Sequence, residues 1–287
     1  MADNHAWLVK SAAFASVCTA MLLLLAKVFA WAISDSTSVL SSLLDSLMDI
    51  MASLVNLYAI RYALMPADDD HPFGHAKAEG IAALVQSAFI LGSTVLLLLQ
   101  VGERFLNPKA ITAIEESVWV MVFSVSATVC LVVYQRFVAR KTKSLAVKAD
   151  SAHYYGDILT GIAVIVALFA SKLGWHWLDP AIALVVAVIL LYSVVGIVRE
   201  AMAVLMDEAL SPEDEEGLRQ VVLANERVRG VHDLMTRRSG RTEFIQLHLE
   251  LDGQQSLYAA HAICREVEQA IKHRFPEAHL IIHQDPV

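Results

Sequence analysis

Asp45 and Asp49 stand four residues apart in a run, 38–64, that is otherwise apolar, and His153 and Asp157 repeat the spacing near the start of another. Residues at i and i+4 share one face of a helix, so each pair presents its polar atoms in one direction. Together the pairs supply three carboxylates and one imidazole, an oxygen and nitrogen set suited to a divalent metal. An ionisable group at the bilayer centre costs about 2.5–3.5 kcal/mol on insertion scales, so three uncompensated acids cost on the order of 8–10 kcal/mol. The bland alternative is an internal salt bridge to Lys27, which sets one cation against three anions.

Two other clusters have ligand chemistry. The segment 68–75 holds Asp68, Asp69, Asp70, His71 and His75, with Pro72 and Gly74 arguing against a regular helix. Taken alone it reads equally as a metal site or as an acidic solvated loop. Near the C-terminus, strand alternation puts His248 on the face opposite Leu247 and Leu249. It also puts His283 and Asp285 on one face, away from Leu280 and Ile282. His232 opens the preceding strand and His261 lies on a helix. Metal binding competes here with ordinary surface histidines.

The elements that must position these residues are membrane helices. Of the 287 residues, 56% are hydrophobic, and mean hydropathy is +0.53, too apolar for an ordinary soluble domain. A net charge of −8 argues against nucleic acid. Cys18, Cys130 and Cys264 are scattered, which excludes a disulfide scaffold or a thiolate metal site. Cys264 is expected to face a reducing cytoplasm.

Six apolar runs follow, at 11–33, 38–64, 81–105, 116–138, 146–171 and 178–200, each near or above the roughly 20 residues a spanning helix needs. The first is too long for the core of a cleaved signal peptide. Trp7, Trp31, Trp119, Trp175 and Trp177 fall at run ends, as an interfacial belt requires. Arg140, Lys141, Lys143 and Lys148 crowd the 139–149 connection, whereas the 34–37 and 172–177 connections hold only Lys172. The positive-inside rule then places both termini in the cytoplasm. With this topology the Asp45/Asp49 and His153/Asp157 pairs lie roughly 10–17 Å from opposite surfaces, at 1.5 Å per residue, and meet near the midplane.

From Ser211 the chain changes character. Ser211-Pro212-Glu213-Asp214 is a helix start, with strands at 231–237 and 242–251, a helix at 256–275 and a strand at 279–285. The order α-β-β-α-β predicts a small α+β domain with helices on one face of a sheet. Nothing favours an enzyme: HExxH, GxSxG and phosphate-binding glycine loops are all missing from the sequence.

Three segments, Asp45-Ser46-Leu47-Met48-Asp49, His71-Pro72-Phe73-Gly74-His75-Ala76-Lys77-Ala78-Glu79 and Asp150-Ser151-Ala152-His153-Tyr154-Tyr155-Gly156-Asp157, carry a resemblance to a known family. With Gly230-Val231-His232-Asp233 and Ile282-His283-Gln284-Asp285-Pro286, the chain resembles the cation diffusion facilitators, and closely their bacterial ferrous-iron and zinc efflux branch. The resemblance implies a homodimeric exporter in the bacterial inner membrane, with a six-helix transport domain at 1–207 and a metallochaperone-like cytoplasmic domain at 208–287. It implies a transport site at Asp45, Asp49, His153 and Asp157, and a second site at Asp68, His71 and His75. A cytoplasmic two-metal site falls to His232, His248, His261, His283 and Asp285. Lys77 and Asp207 match a charge interlock between protomers, and manganese-exporting relatives are all-aspartate at the transport positions. Residue 152, beside the site, is an alanine too small for a bulky apolar gate.

The expected activity is proton-coupled antiport of Zn2+, with Fe2+ and Cd2+ as further substrates, by alternating access. Zn2+ is also expected as a structural or regulatory ion in the cytoplasmic domain. A carboxylate buried away from water holds its proton more tightly, and a bound dication expels it, which couples the two cargoes. The competing readings are a membrane-tethered metal sensor that moves nothing and a transporter of organic cations.

Overall fold

The computed structural model describes residues 2–34, 37–106, 115–175, 177–240 and 242–287. Each apolar run becomes the middle of a helix: α1 (Ala2–Ser34), α2 (Thr37–Ala63), α3 (Ala78–Leu106), α4 (Glu115–Thr142), α5 (Leu145–Lys172) and α6 (Leu178–Leu205). Most helices extend past the runs, α1 by a further nine residues at its start, because backbone hydrogen bonding does not stop where hydropathy does. Among the described residues, α1, α3, α4, α5 and α6 are long and apolar enough to cross a membrane by length and composition. Helix α2 carries Asp45, Asp49, Asn56 and Arg61, and most side chains of its first two turns lie outside the described residues. Trp7, Trp31, Trp175 and Trp177 are all exposed, and the side chain of Trp119 lies outside the described residues.

Within this unit α1 packs on α2 and α4, α4 on α5, and α3 on both α2 and α5. Small residues set the spacing, Ala12 and Ala13 of α1 being buried against Ile60 of α2 and Val138 of α4. A Cβ on Gly161 of α5 would stand 2.6 Å from Val125 Cγ2 of α4, so that crossing demands glycine. The start of α5 is pinned from α3: Glu79 accepts from Ser144 Oγ at 3.0 Å and from the Leu145 amide at 2.9 Å. That carboxylate satisfies an amide with no partner inside its own helix. Lys148 pairs with Glu200, joining α5 to α6.

Residues 203–287 form a second compact unit. It runs α7 (Pro212–Leu223), β1 (Gly230–Ser239), β2 (Thr242–Leu251), α8 (Leu257–Arg274) and β3 (His279–Pro286). Ser211 caps α7 by accepting from the Asp214 amide at 3.2 Å. The sheet order is β1-β2-β3, antiparallel between the first pair and parallel between the second. Strand alternation buries Ile245, Leu247, Leu249 and Leu251 against Ile263, Val267 and Ile271 of α8. The even-numbered side chains of β2 therefore face away from that core. The β1–β2 register shifts between His232 and Met235, where Asp233 takes φ 47°, a bulge that lets Leu234 rejoin the core while His232 stays on the other face.

Candidate metal centres

On α2 and α5, Asp49 and Asp157 each lie about 18 Å along their helix at 1.5 Å per residue, counted from Thr37 and Leu145. Equal depth brings the two polar faces level. His153 Nε2 stands 3.2 Å from Asp49 Oδ1, and a ligand atom of Asp157 lies within 4.8 Å of both. His153 is buried, Asp49 is half-buried and Asp157 is exposed within this chain. The ring of Tyr154 meets the imidazole edge-on at 5.4 Å between centroids. Asp45, one turn earlier on α2, is exposed and stands outside this close group. Lys27 of α1 reaches α2 through its Nζ, which donates to Ser46 Oγ at 2.6 Å.

The loop before α3 also gathers its ligands. His71 Nδ1 lies 3.1 Å and His75 Nε2 3.3 Å from the carboxylate of Asp68. Pro72 and Gly74 do prevent a helix here, and Gly74 turns the chain at φ 79°. His75 is buried, edge-on to Tyr62 at 4.6 Å, with Nδ1 3.1 Å from the Pro66 carbonyl oxygen, so one ring nitrogen is fixed and the other faces Asp68. The backbone amide of His71 holds the Asp68 carboxyl below the usual carboxylate range, so it stays an anionic ligand at neutral pH.

In the second unit the sheet lines up three imidazoles. His232 pairs with His248 and His248 with His283 across the three strands, at 5.1 and 4.6 Å between ring centroids. Asp285 Oδ2 stands 2.9 Å from His248 Nδ1 and 3.1 Å from His232 Nε2, and His283 Nε2 is 3.4 Å from Asp285 Oδ1. His232, His248 and Asp285 make the close group, with His283 at its edge. His261 is exposed on α8 and is not part of it. The hydrogen bond from His248 depresses the Asp285 carboxyl, helped by the charges of His283 and His232. This pairing therefore stabilises the unit above the ordinary carboxylate range and is lost as the pH falls through the depressed value. Nitrogen and carboxylate donors in this number fit Zn2+. Asp207 is held within the same unit by Arg237 at 3.0 Å.

A fragment of residues 203–287 should fold alone around its core, bind zinc and gain thermal stability from it. Binding should weaken from pH 7 to pH 5, because imidazoles must shed protons to bind. Calorimetry on the fragment measures both, and His248→Ala should sharply weaken the binding.

Sequence comparison decides the family. Residues 13–206 match the model described as the cation efflux transmembrane domain, and residues 210–287 that of the cation efflux protein, cytoplasmic domain. The chain belongs to the cation diffusion facilitators. It is 46% identical over 286 residues to the cation-efflux pump FieF of Klebsiella pneumoniae, covering 100% of this chain and 95% of that one. The FieF pumps of Serratia proteamaculans and Escherichia coli are each 45% identical over the same lengths. Among solved structures, the zinc form of the zinc transporter CzrB is 38% identical over 28% of this chain and 92% of its own, at a TM-score of 0.27. A cation diffusion facilitator is a multi-pass membrane efflux transporter for divalent metal cations, and this chain is one.

Sequence spacing gives no role to several buried polar groups next to the α2–α5 centre. Asp150 accepts from Gln86 Nε2 of α3 at 3.0 Å and from Gln135 Nε2 of α4 at 2.6 Å. Tyr154 Oη lies 2.7 Å from Ser53 Oγ of α2, which lies 3.0 Å from Ser16 Oγ of α1. The available signal was an acid three residues before His153 and two glutamines inside apolar runs.

Proposed function

We propose that this protein exports zinc, with Fe2+ and Cd2+ as further substrates, from the cytoplasm in exchange for protons. The observation that carries the reading is the meeting of Asp49, His153 and Asp157 between two helices. One imidazole and two carboxylates form a borderline-hard set that suits zinc, and Asp45 one turn away supplies a fourth ligand after a small rotation of α2. Carboxylates held within a bilayer, away from bulk water, favour their protonated form, and a dication favours the ionised one, so metal and protons occupy the site in turn. Exchange becomes export when the site opens alternately to each side.

The lysine and arginine distribution supports both termini in the cytoplasm, and the family's dimeric cytoplasmic domain supports a homodimer in a bacterial inner membrane. The Asp68 and His232 groups are read as further metal sites, the latter regulating or stabilising the dimer. Zinc flux into proteoliposomes under an imposed pH gradient tests the reading. Flux that follows the gradient and reverses with it is the expected result. Binding without flux would mean a membrane-tethered sensor, and flux indifferent to the gradient would remove the proton exchange.

A further inference from the structure

The candidate transport ligands come from two helices that touch each other sparingly, α2 through Asp49 and α5 through His153 and Asp157. A metal site tolerates ligand distances only within roughly 0.2 Å, so something must fix the gap and register of these helices before the ion arrives. Other hydrogen bonds and ion pairs of α5 among the described residues reach α3, α4 and α6. Asp150 binds it to α3 and α4, Glu79 caps its start from α3, and Lys148 joins it to α6.

Tyr154 reaches α2. Its Oη stands 2.7 Å from Ser53 Oγ, and both residues are buried. Ser53 follows Asp49 by four residues and Tyr154 precedes Asp157 by three, so the bond lies about one helical turn from the ligands, between the same two helix faces. Two contacts a turn apart fix register as well as distance, where one alone leaves a pivot. Ser53 is itself braced by Ser16 of α1 at 3.0 Å. The Tyr154 ring also meets His153 edge-on and packs with Leu131, Val132 and Ile158, so the side chain is locked before its hydroxyl is used.

We infer that Tyr154 is a positioning residue for metal transport, acting through Ser53 to hold Asp49 at ligand distance from His153 and Asp157. The inference rests on reading that group as the transport site. Tyr154→Phe keeps the ring, its packing and its contact with His153, and removes only the hydroxyl. Loss of one such bond should raise the KM for zinc about fivefold to tenfold and leave kcat within about twofold. Ser53→Ala should do the same from the other side. Because both act through one bond, Tyr154→Phe added to Ser53→Ala should change KM no further.

The experiment measures zinc uptake against zinc concentration in proteoliposomes of the full-length protein, with thermal unfolding of each variant alongside. A role confined to packing would lower the unfolding temperature or kcat and spare KM. An unchanged KM in Tyr154→Phe, or effects that multiply in the double variant, would overturn the inference. Asp49→Ala separates the two levels. If it abolishes uptake while Tyr154→Phe keeps its KM, only the positioning role fails. If it transports like the wild type, the site reading falls and takes the inference with it.

Discussion

Asp49→Ala and Asp157→Ala should each lower zinc transport by at least about 100-fold while the protein still folds. Removing a residue that merely orients a ligand costs 10–100-fold in metal affinity, and these carboxylates are placed as ligands themselves. Folding should survive because each substitution removes an ionisable group from the bilayer rather than adding one. Asp157 is exposed within this chain, so alanine there leaves no cavity, and the half-buried Asp49 leaves a small one. Transport rates and thermal unfolding on the same preparations decide the matter. Wild-type rates in either variant would remove that carboxylate from the transport site.

His153→Asp should raise the ratio of manganese to zinc transport about tenfold or more, chiefly by lowering zinc. The imidazole is the one nitrogen donor in the group and gives it borderline character. An aspartate leaves only hard oxygen donors, which suit manganese better than zinc. Its side chain is also shorter, and His153 is buried beside Tyr154, so part of the zinc loss will be geometric. The ratio between metals, measured in the same vesicles, is therefore the telling quantity. An unchanged ratio would place selectivity outside these residues.

The candidate ligand groups were legible in the sequence to the extent that their geometry is local. The i,i+4 spacing put Asp49 with Asp45 and His153 with Asp157, and strand alternation put His248, His283 and Asp285 on one face. Which members meet depends on tertiary packing, which spacing does not encode: Asp45 stands apart one turn along α2, and His261 lies on α8, across the sheet from His248. The bulge at Asp233 is likewise silent in the alternation it interrupts. The Asp150 and Tyr154 contacts were invisible because their partners sit on α1, α2, α3 and α4, with sequence separations of 15 to 138 residues. The six runs gave the helices directly, α2 included, although it carries ligand chemistry as well as apolar length.

The hydrogen bonds to Asp150 also bear on how the chain is made. Alone in lipid, α5 would present Asp150, His153 and Asp157 unpaired, a heavy load for one inserting segment. Gln86 and Gln135, which receive Asp150, and Asp49 and Ser53, which meet His153 and Tyr154, all precede α5 in the chain. During synthesis from the N-terminus these partners emerge first, so Asp150, His153 and Tyr154 enter a bilayer where their partners already stand. Birth order thus serves as a chaperone: a gene rearranged so that α5 emerges before α3 and α4 should yield a misinserted product, readable by a topology reporter placed after α5.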